Sequence, residues 1–169
     1  MGYRGRLIWP FQCRIQRLDT AATEANPLAG QPSGYNRIWR EPVRTNAGAD
    51  SRVYKSEVAL PCQVRTEMGP YDKQLQLPGG RELEFKIKLT LHYNDLTMCG
   101  GLVDATGAVV FQPSDKLRAI YKKDGTTLVR DFTSNPLFLV HVQDRSWGLS
   151  GLERNLVMLY FNDRRKGSR

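Results

Sequence analysis

The stretch Leu83-Glu-Phe-Lys-Ile-Lys-Leu-Thr-Leu-His-Tyr93 alternates apolar and polar residues without interruption. Its apolar positions, which share one face, are Leu83, Phe85, Ile87, Leu89, Leu91 and Tyr93. Side chains of a β-strand alternate between two faces with a period of two, so the stretch predicts one long, half-buried strand. We expect Phe85, Ile87 and Leu89 to be almost fully buried, with Lys86 and Lys88 exposed or at an interface.

Further strands are predicted on both sides of this one. They cover residues 6–18, 58–64, 108–111, 116–121, 127–132, 137–142 and 155–161. Lys123-Asp124-Gly125 predicts a hairpin, since Asp-Gly supplies the positive φ that a tight turn needs. Pro10 has no amide hydrogen, which favours an edge position or a bulge in the first strand. Short strands with no amphipathic helix of useful length predict an all-β fold, a single small barrel or sandwich.

A long insertion rich in turn-forming residues follows the first strand, from Thr20 to about Ser56. We therefore divide the chain into a β-barrel domain of residues 1–19 and 57–163, an extended arm or loop of residues 20–56, and a basic tail of residues 164–169. A structureless loop of this length is uncommon inside a compact domain, and is usually disordered or functional.

A group of aromatic, aliphatic and arginine residues interrupts the arm. Its members are Tyr35, Arg37, Ile38, Trp39, Arg40 and Arg44. One interpretation is a flap that folds back over its own barrel. The other is an arm that docks on a neighbouring subunit, because aromatic and arginine side chains are enriched among the residues that dominate interface energetics.

Composition narrows the class of protein. The chain has 169 residues and a formal net charge of +8, which suits one domain, with or without an arm, and admits nucleic acid or an acidic protein surface as a partner. No apolar run is long enough to span a membrane, and the first residues lack the apolar segment of a signal peptide. With three cysteines, an odd number, we expect free thiols in a reducing compartment.

Residue types that carry chemistry are sparse. The glycine pairs at 79–80 and 100–101 lack the companion residues of a phosphate-binding loop. Cys99 follows His92 closely, but the pair spacing of zinc sites does not recur. A nucleophilic Cys–His pair stays open and would need a third group to orient it. We therefore expect a protein that is not an enzyme, with no catalytic residues, no cofactor and no metal site.

A nucleic-acid-binding barrel is the alternative function. Basic and aromatic residues on one face of a barrel can stack bases and follow a phosphate backbone. Here, however, Phe85, Tyr93, Phe111 and Phe161 are all in phase with core positions, and the basic charge is diffuse.

Several short runs in the second half of the chain resemble the small β-barrel connector proteins of tailed-phage necks, the head-completion or stopper class. The runs are Leu60-Pro-Cys-Gln-Val64, Leu89-Thr-Leu-His-Tyr-Asn-Asp-Leu96, Gly101-Leu-Val-Asp-Ala-Thr-Gly107, Pro113-Ser-Asp-Lys-Leu-Arg-Ala-Ile-Tyr121, Asp124-Gly125, Trp147-Gly-Leu149 and Arg154-Asn-Leu156. The resemblance covers residues 58–161.

The resemblance implies a structural virion protein that is made in the host cytoplasm and does not enter a membrane. Its copies would form a homo-oligomeric ring below the portal, around the channel through which DNA passes, between portal or adaptor and tail proteins. The position in the neck, whether adaptor, stopper or tail-completion, stays open because residues 20–56 make the chain longer than a usual stopper.

Overall fold

The fold is all-β, as the alternating sequence predicts. A computed structural model describes residues 9–25, 35–36, 41–42, 52–66, 74–77, 81–146 and 154–163. In chain order, its elements are β1 (Phe11–Leu18), α1 (Thr20–Ala25), β2 (Tyr35–Asn36), β3 (Glu41–Pro42), β4 (Tyr54–Thr66), β5 (Gln74–Leu77), β6 (Arg81–Glu84), β7 (Ile87–His92), α2 (Tyr93–Met98), β8 (Lys116–Lys122), β9 (Leu128–Asp131), β10 (Leu137–Ser146) and β11 (Arg154–Asn162).

Six antiparallel strands close into a barrel, and a seventh is attached to it. The sheet runs β1-β4-β7-β11-β10-β8, and the pairing of β8 with β1 completes the circle. The additional strand, β9, pairs with β8 alone among the described strands. Closure leaves the barrel wall without free edges, which distinguishes a barrel from a sandwich. The strand pairs β2-β3 and β5-β6 form two small separate sheets.

The barrel interior is filled by alternate side chains from each strand. Its fully enclosed members include Cys13, Ile15, Leu60, Cys62, Ile87, Leu89, Leu91, Leu117, Leu139, Val157, Leu159 and Phe161. Burial of one such large apolar side chain stabilises the fold by about 1.5–3 kcal/mol. Leu96 from α2 and Leu102 from the following loop are also enclosed in this cluster. The barrel interior is thus a packed hydrophobic core.

The predicted long strand from Leu83 to Tyr93 is interrupted, so that prediction was wrong in its extent. β6 ends at Glu84, and β7 begins at Ile87 after a bend in which the Lys86 amide donates to the Phe161 carbonyl at 2.8 Å. Ile87, Leu89 and Leu91 are buried as expected. Phe85 is only half-buried and packs against a second cluster, formed by Val140, Met158 and Tyr160.

The far end of the predicted strand becomes a helix instead. Tyr93 is the first residue of α2, and the His92 side chain caps that helix by accepting from the Asn94 amide through Nδ1 at 3.2 Å. A polar Asn-Asp pair follows Tyr93, and such residues favour caps and turns over strand pairing. Apolar alternation therefore marked Ile87, Leu89 and Leu91 correctly as core residues, but it extended the strand too far at both ends.

Two other strand predictions also need correction. The segment 108–111 forms no strand, and only an isolated bridge joins Val103 to Val109. The first strand, predicted over residues 6–18, begins at Phe11, just after Pro10, and is paired on both sides. Residues 6–8 of that prediction lie outside the described residues. The strand's pairing with β8 shifts register between Arg14 and Ile15. Pro10 was expected to mark an edge position or a bulge in this strand. It does neither, because it lies just before the strand, where its missing amide hydrogen costs no hydrogen bond between strands.

The chain divides into two compact units, Met1–Arg17 with Ser56–Arg169, and Leu18–Lys55. Within the second unit, α1 replaces the start of the predicted loop. The Asp19 carboxylate accepts from the Ala22 amide at 3.1 Å, which caps this helix at its beginning. Val53 is tied to the same helix, because its amide donates to the Thr23 hydroxyl at 2.9 Å. The basic tail of residues 164–169 lies outside the described residues.

Candidate binding cleft at one end of the barrel

Strands β9 and β10 lie one after the other along the same edge of β8. Asp131 of β9 is opposite Ala119, and Leu137 of β10 is opposite Leu117. The chain therefore advances six residues from β9 to β10 while it moves only two residues along β8. Residues 132–136 therefore leave the sheet between the two strands. The amide of Phe132 still donates to the Arg118 carbonyl at 2.8 Å, which fixes where this excursion begins.

A cleft opens beside this excursion, at the end of the barrel where β4 and β11 finish and β7 and β10 start. Its volume is about 630 Å³. The described residues that line it are Thr66, Lys86, Ile87, Arg130, Phe132, Asn135, Leu137 and Asp163. They lie in four strands, β4, β7, β9 and β10, and in the segments next to these strands and to β11, so closure of the barrel is what brings them together.

The floor and the rim of the cleft differ in polarity. Ile87 and Leu137 are buried members of the core, and Phe132 packs against the same core as a half-buried side chain. Thr66 and Asn135 are exposed polar groups. An apolar floor with a few polar groups around it is the usual composition of a recognition site.

Charge at the rim is predominantly positive. Lys86 Nζ lies 2.6 Å from Asp163 Oδ2, and each side chain is 49% exposed. Exposed ion pairs of this kind contribute about 0–1 kcal/mol, so a competing carboxylate can replace Asp163 at low cost. Arg130 is a second exposed cation among the lining residues. The described lining residues thus place two cations and one carboxylate next to an apolar floor, an arrangement that can bind an anion beside an apolar group.

On another part of the outer barrel wall, Arg65 and Lys88 belong to a row of side chains that crosses four neighbouring strands, which we call the basic row. Arg65, Lys88, Tyr160 and His141 are successive cross-strand partners on β4, β7, β11 and β10. The Lys88 ammonium lies 5.5 Å from the centroid of the Tyr160 ring, and the His141 ring is 5.9 Å from it. Tyr160 is only 2% exposed. Its ring therefore cannot serve as a platform for an incoming base, which weakens the case for single-strand recognition on this wall.

The predicted arm group is described only in part. Tyr35 lies in β2 and pairs with Pro42 of β3. Arg37, Ile38, Trp39, Arg40 and Arg44 lie outside the described residues. Of the predicted core positions, Leu83 lies in β6 opposite Leu75, in a small sheet separate from the barrel.

The open question of a Cys99–His92 nucleophile pair is answered by α2. His92 precedes the helix and Cys99 follows it, so the two side chains are at opposite ends of a six-residue helix, on the order of 10 Å apart along its axis. In addition, the Nδ1 atom of His92 already accepts the Asn94 amide. Partial burial, followed by the nearby charge of Asp95, raises the pKa of the Cys99 thiol, which disfavours the thiolate.

The sequence did not single out most of the cleft. Lys86 was expected to be exposed or at an interface, but Arg130, Phe132, Asn135 and Asp163 were not marked. A signal was present for the neighbouring strand β9, although not for the cleft itself: Leu128 and Val129 are adjacent apolar residues in a predicted hairpin strand, and therefore cannot both face the core. That pattern indicates a strand with apolar side chains on two faces.

Comparisons with known proteins identify no relative. No protein-family model, curated protein or solved structure matches this chain. Among the described residues, no helix is long and apolar enough to cross a membrane.

Proposed function

We propose that this protein is a structural subunit of the tailed-phage neck, of the head–tail connector class. In this proposal, copies form a ring that joins the portal or an adaptor to the tail, around the channel for DNA. The protein is made in the host cytoplasm and ends up in the virion. It acts as a scaffold and not as an enzyme, and it needs no cofactor.

The observation that carries the proposal is that a buried or hydrogen-bonded aspartate in two of the runs behind the phage resemblance holds a loop of a small closed barrel in place. The run Trp147-Gly-Leu149 lies outside the described residues. Asp104 Oδ1 accepts from the amides of Thr106 and Ala108, each at 2.8 Å. Asp115 is fully buried, its carboxylate accepts from the Gln112 amide at 3.0 Å, and its carbonyl accepts from the Leu139 amide at 2.8 Å. Asp104 thus fixes its own turn, and Asp115 joins its loop to β10.

The second unit supports an assembly role. Residues 18–55 are inserted between two barrel strands and form their own compact unit. The predicted anchors Tyr35, Ile38 and Trp39 belong to this insertion, together with Arg37, Arg40 and Arg44. In the proposed ring, the aromatic side chains bury apolar area on the adjacent subunit and the arginines pair with its acidic groups. Heterologous contacts whose rotation closes produce such a ring.

The experiment uses the full-length chain, alone and mixed with purified portal and adaptor proteins. We expect negative-stain images to show rings around an axis, and native mass spectrometry to give a single multiple of the 19.2 kDa subunit mass. Trp39→Ala is expected to reduce ring formation without lowering the unfolding temperature. Met98→Ala is the matched control, since Met98 is 83% exposed and lies outside the insertion. Absence of rings under every mixing condition would reject the proposal.

The alternative, a basic barrel that binds nucleic acid as a monomer, predicts a different result. Its support is the net charge of +8 and the basic row on the outer wall. Binding through phosphates weakens steeply with salt, by about 0.9 logarithmic units of affinity per contact for each tenfold increase in salt. A monomer that binds duplex or single-stranded DNA tightly, with such a slope, would favour this function over the neck.

A further inference from the structure

Strand β9 has one edge beside the cleft that no other described strand pairs with, which we call the free edge. One side of β9 pairs with β8, and no described strand pairs with the other side. All of its residues are exposed, and the apolar side chains of Leu128 and Val129 are exposed by 50% and 44%. A strand edge of this kind presents unpaired backbone donors and acceptors to which another chain can add a strand.

The free edge and the cleft form one continuous surface. The pairing of β11 with β10 ends where Asn162 meets Phe138, and β9 continues past that point along β8. A strand laid along β9 would therefore extend the line of β11 beyond Asp163, over the cleft. Arg130 belongs to both features, because it lies in β9 and lines the cleft.

Charge indicates what kind of segment fits. Among the charged residues that line the cleft, Lys86 and Arg130 outnumber Asp163, whereas Asp131 of β9 is exposed but does not line the cleft. The chain itself carries a net charge of +8, and its last six residues, Arg164–Arg169, include four cations and no acid. Like charges placed together are unfavourable, so neither that tail nor another basic surface of this chain complements the cleft. The matching occupant is acidic.

We propose that β9 and the cleft together bind an extended acidic segment of a different protein. The segment adds an antiparallel or parallel strand to the free edge of β9 and packs its apolar side chains against Leu128, Val129 and the Phe132 floor. Its carboxylate contacts Arg130 and Lys86, in exchange for the ion pair between Lys86 and Asp163. The proposed site contains no residue of the second unit, so binding at it does not depend on whether the protein forms a ring or stays a monomer.

Two synthetic peptides test the site on the full-length protein. Both are ten residues long, alternate Val and Thr, and end in either Asp-Asp or Lys-Lys. Isothermal titration calorimetry measures affinity, and amide hydrogen exchange followed by NMR reports the contact residues. We expect the acidic peptide to bind at least tenfold more tightly than the basic one and to protect amides of Leu128–Asp131. Equal affinity, or no binding of either peptide, would overturn the proposal.

Charge-changing substitutions test whether the acidic peptide binds at this site or is attracted only by the net positive charge of the protein. Arg130→Glu and Lys86→Glu are expected to weaken the acidic peptide at least tenfold and to favour the basic peptide. Lys123→Glu makes the same charge change at an exposed position in the turn before β9, and should leave both affinities within twofold. A loss with Lys123→Glu equal to that with Arg130→Glu would contradict a specific site.

The competing occupant is a second copy of this chain. Sedimentation of the full-length protein without peptide detects self-association. A charge on an edge strand blocks strand addition, so self-association through β9 should be abolished by Val129→Lys. That result would assign the free edge to a second copy and overturn the proposal. Self-association that Val129→Lys leaves unchanged, together with tight binding of the acidic peptide, supports the proposed partner whether or not rings form.

Discussion

The phenolic hydroxyl of Tyr93 donates a hydrogen bond of 2.7 Å to the backbone carbonyl of Gly107. Gly107 has a φ of 79°, and a Cβ at this position would lie 3.2 Å from the same hydroxyl oxygen. The contact joins the first residue of α2 to the turn that follows Asp104. Glycine therefore meets two requirements here, a left-handed backbone and a close approach.

We expect Gly107→Ala to lower the free energy of unfolding by about 1–3 kcal/mol, through backbone strain and displacement of the Tyr93 hydroxyl. Gly100→Ala is the matched control. Its φ is 66°, but no atom lies within 4 Å of the added Cβ, so it carries the backbone strain alone. Urea unfolding of both variants gives the difference. Equal losses would show that the approach of Tyr93 contributes nothing.

The barrel core gives a second prediction, at Ile87. Its side chain is 2% exposed and belongs to the main core cluster. Ile87→Ala should lower the free energy of unfolding by about 2–5 kcal/mol, because a cavity remains where the side chain is removed. Lys123→Ala, at an exposed position, should change it by less than about 0.5 kcal/mol. Similar effects of the two substitutions in chemical denaturation would argue against the strand register described here.

The alternation of apolar and polar residues predicted most of the buried positions of β7, but it did not predict the surface cleft. Ile87, Leu89 and Leu91 follow a period of two, and any closed or half-buried sheet must bury them together. Phe85 follows the same period yet packs outside the barrel, because the chain bends at Lys86 to meet Phe161. The sequence pattern did not predict the cleft, for a related reason. Its residues are brought together by barrel closure and strand ends, which local pattern does not encode.

Ser114 offers a prediction of increased stability. Its φ of 83° is the only positive value among non-glycine residues in the described part of the chain. An L-residue pays for this backbone conformation, whereas glycine adopts it without a steric penalty. Ser114→Gly is expected to raise the free energy of unfolding by up to about 1 kcal/mol, and Ser114→Val to lower it by at least as much. Thermal unfolding would contradict the assignment if the glycine variant were the less stable one.

The three thiols should differ in reactivity. Cys13, Cys62 and Cys99 are unpaired, and only Cys99 is exposed. A hydrogen bond with Cys62, followed by burial, raises the pKa of the Cys13 thiol well above its ordinary value. We expect a thiol reagent to modify Cys99 alone in the native protein at neutral pH, and three thiols after denaturation without reductant. Recovery of fewer than three would indicate a disulfide or a bound metal.

The last prediction concerns Asp124, in the turn between β8 and β9. The Thr127 hydroxyl and the amides of Thr127 and Thr126 donate to its carboxylate at 2.5–3.0 Å. These hydrogen bonds, led by that of the hydroxyl, lower the pKa of Asp124 from 3.8 to about 2. A carboxyl whose pKa is depressed by folding stabilises the native state above its unfolded pKa and loses that contribution as pH falls towards the folded value. Stability from this turn should therefore decline between about pH 4 and pH 2.

An NMR titration of the side-chain carboxyl carbons measures this directly. In the wild-type protein, Asp124 should titrate near pH 2, and Thr127→Val should move its midpoint upward, since the leading donor is lost. Asp131 is the internal control, because its lowered pKa depends on Thr133 and should not respond to the substitution at Thr127. If Asp124 titrates at the ordinary carboxyl pKa in the wild-type protein, the hydrogen bonds of this turn do not hold its charge in solution.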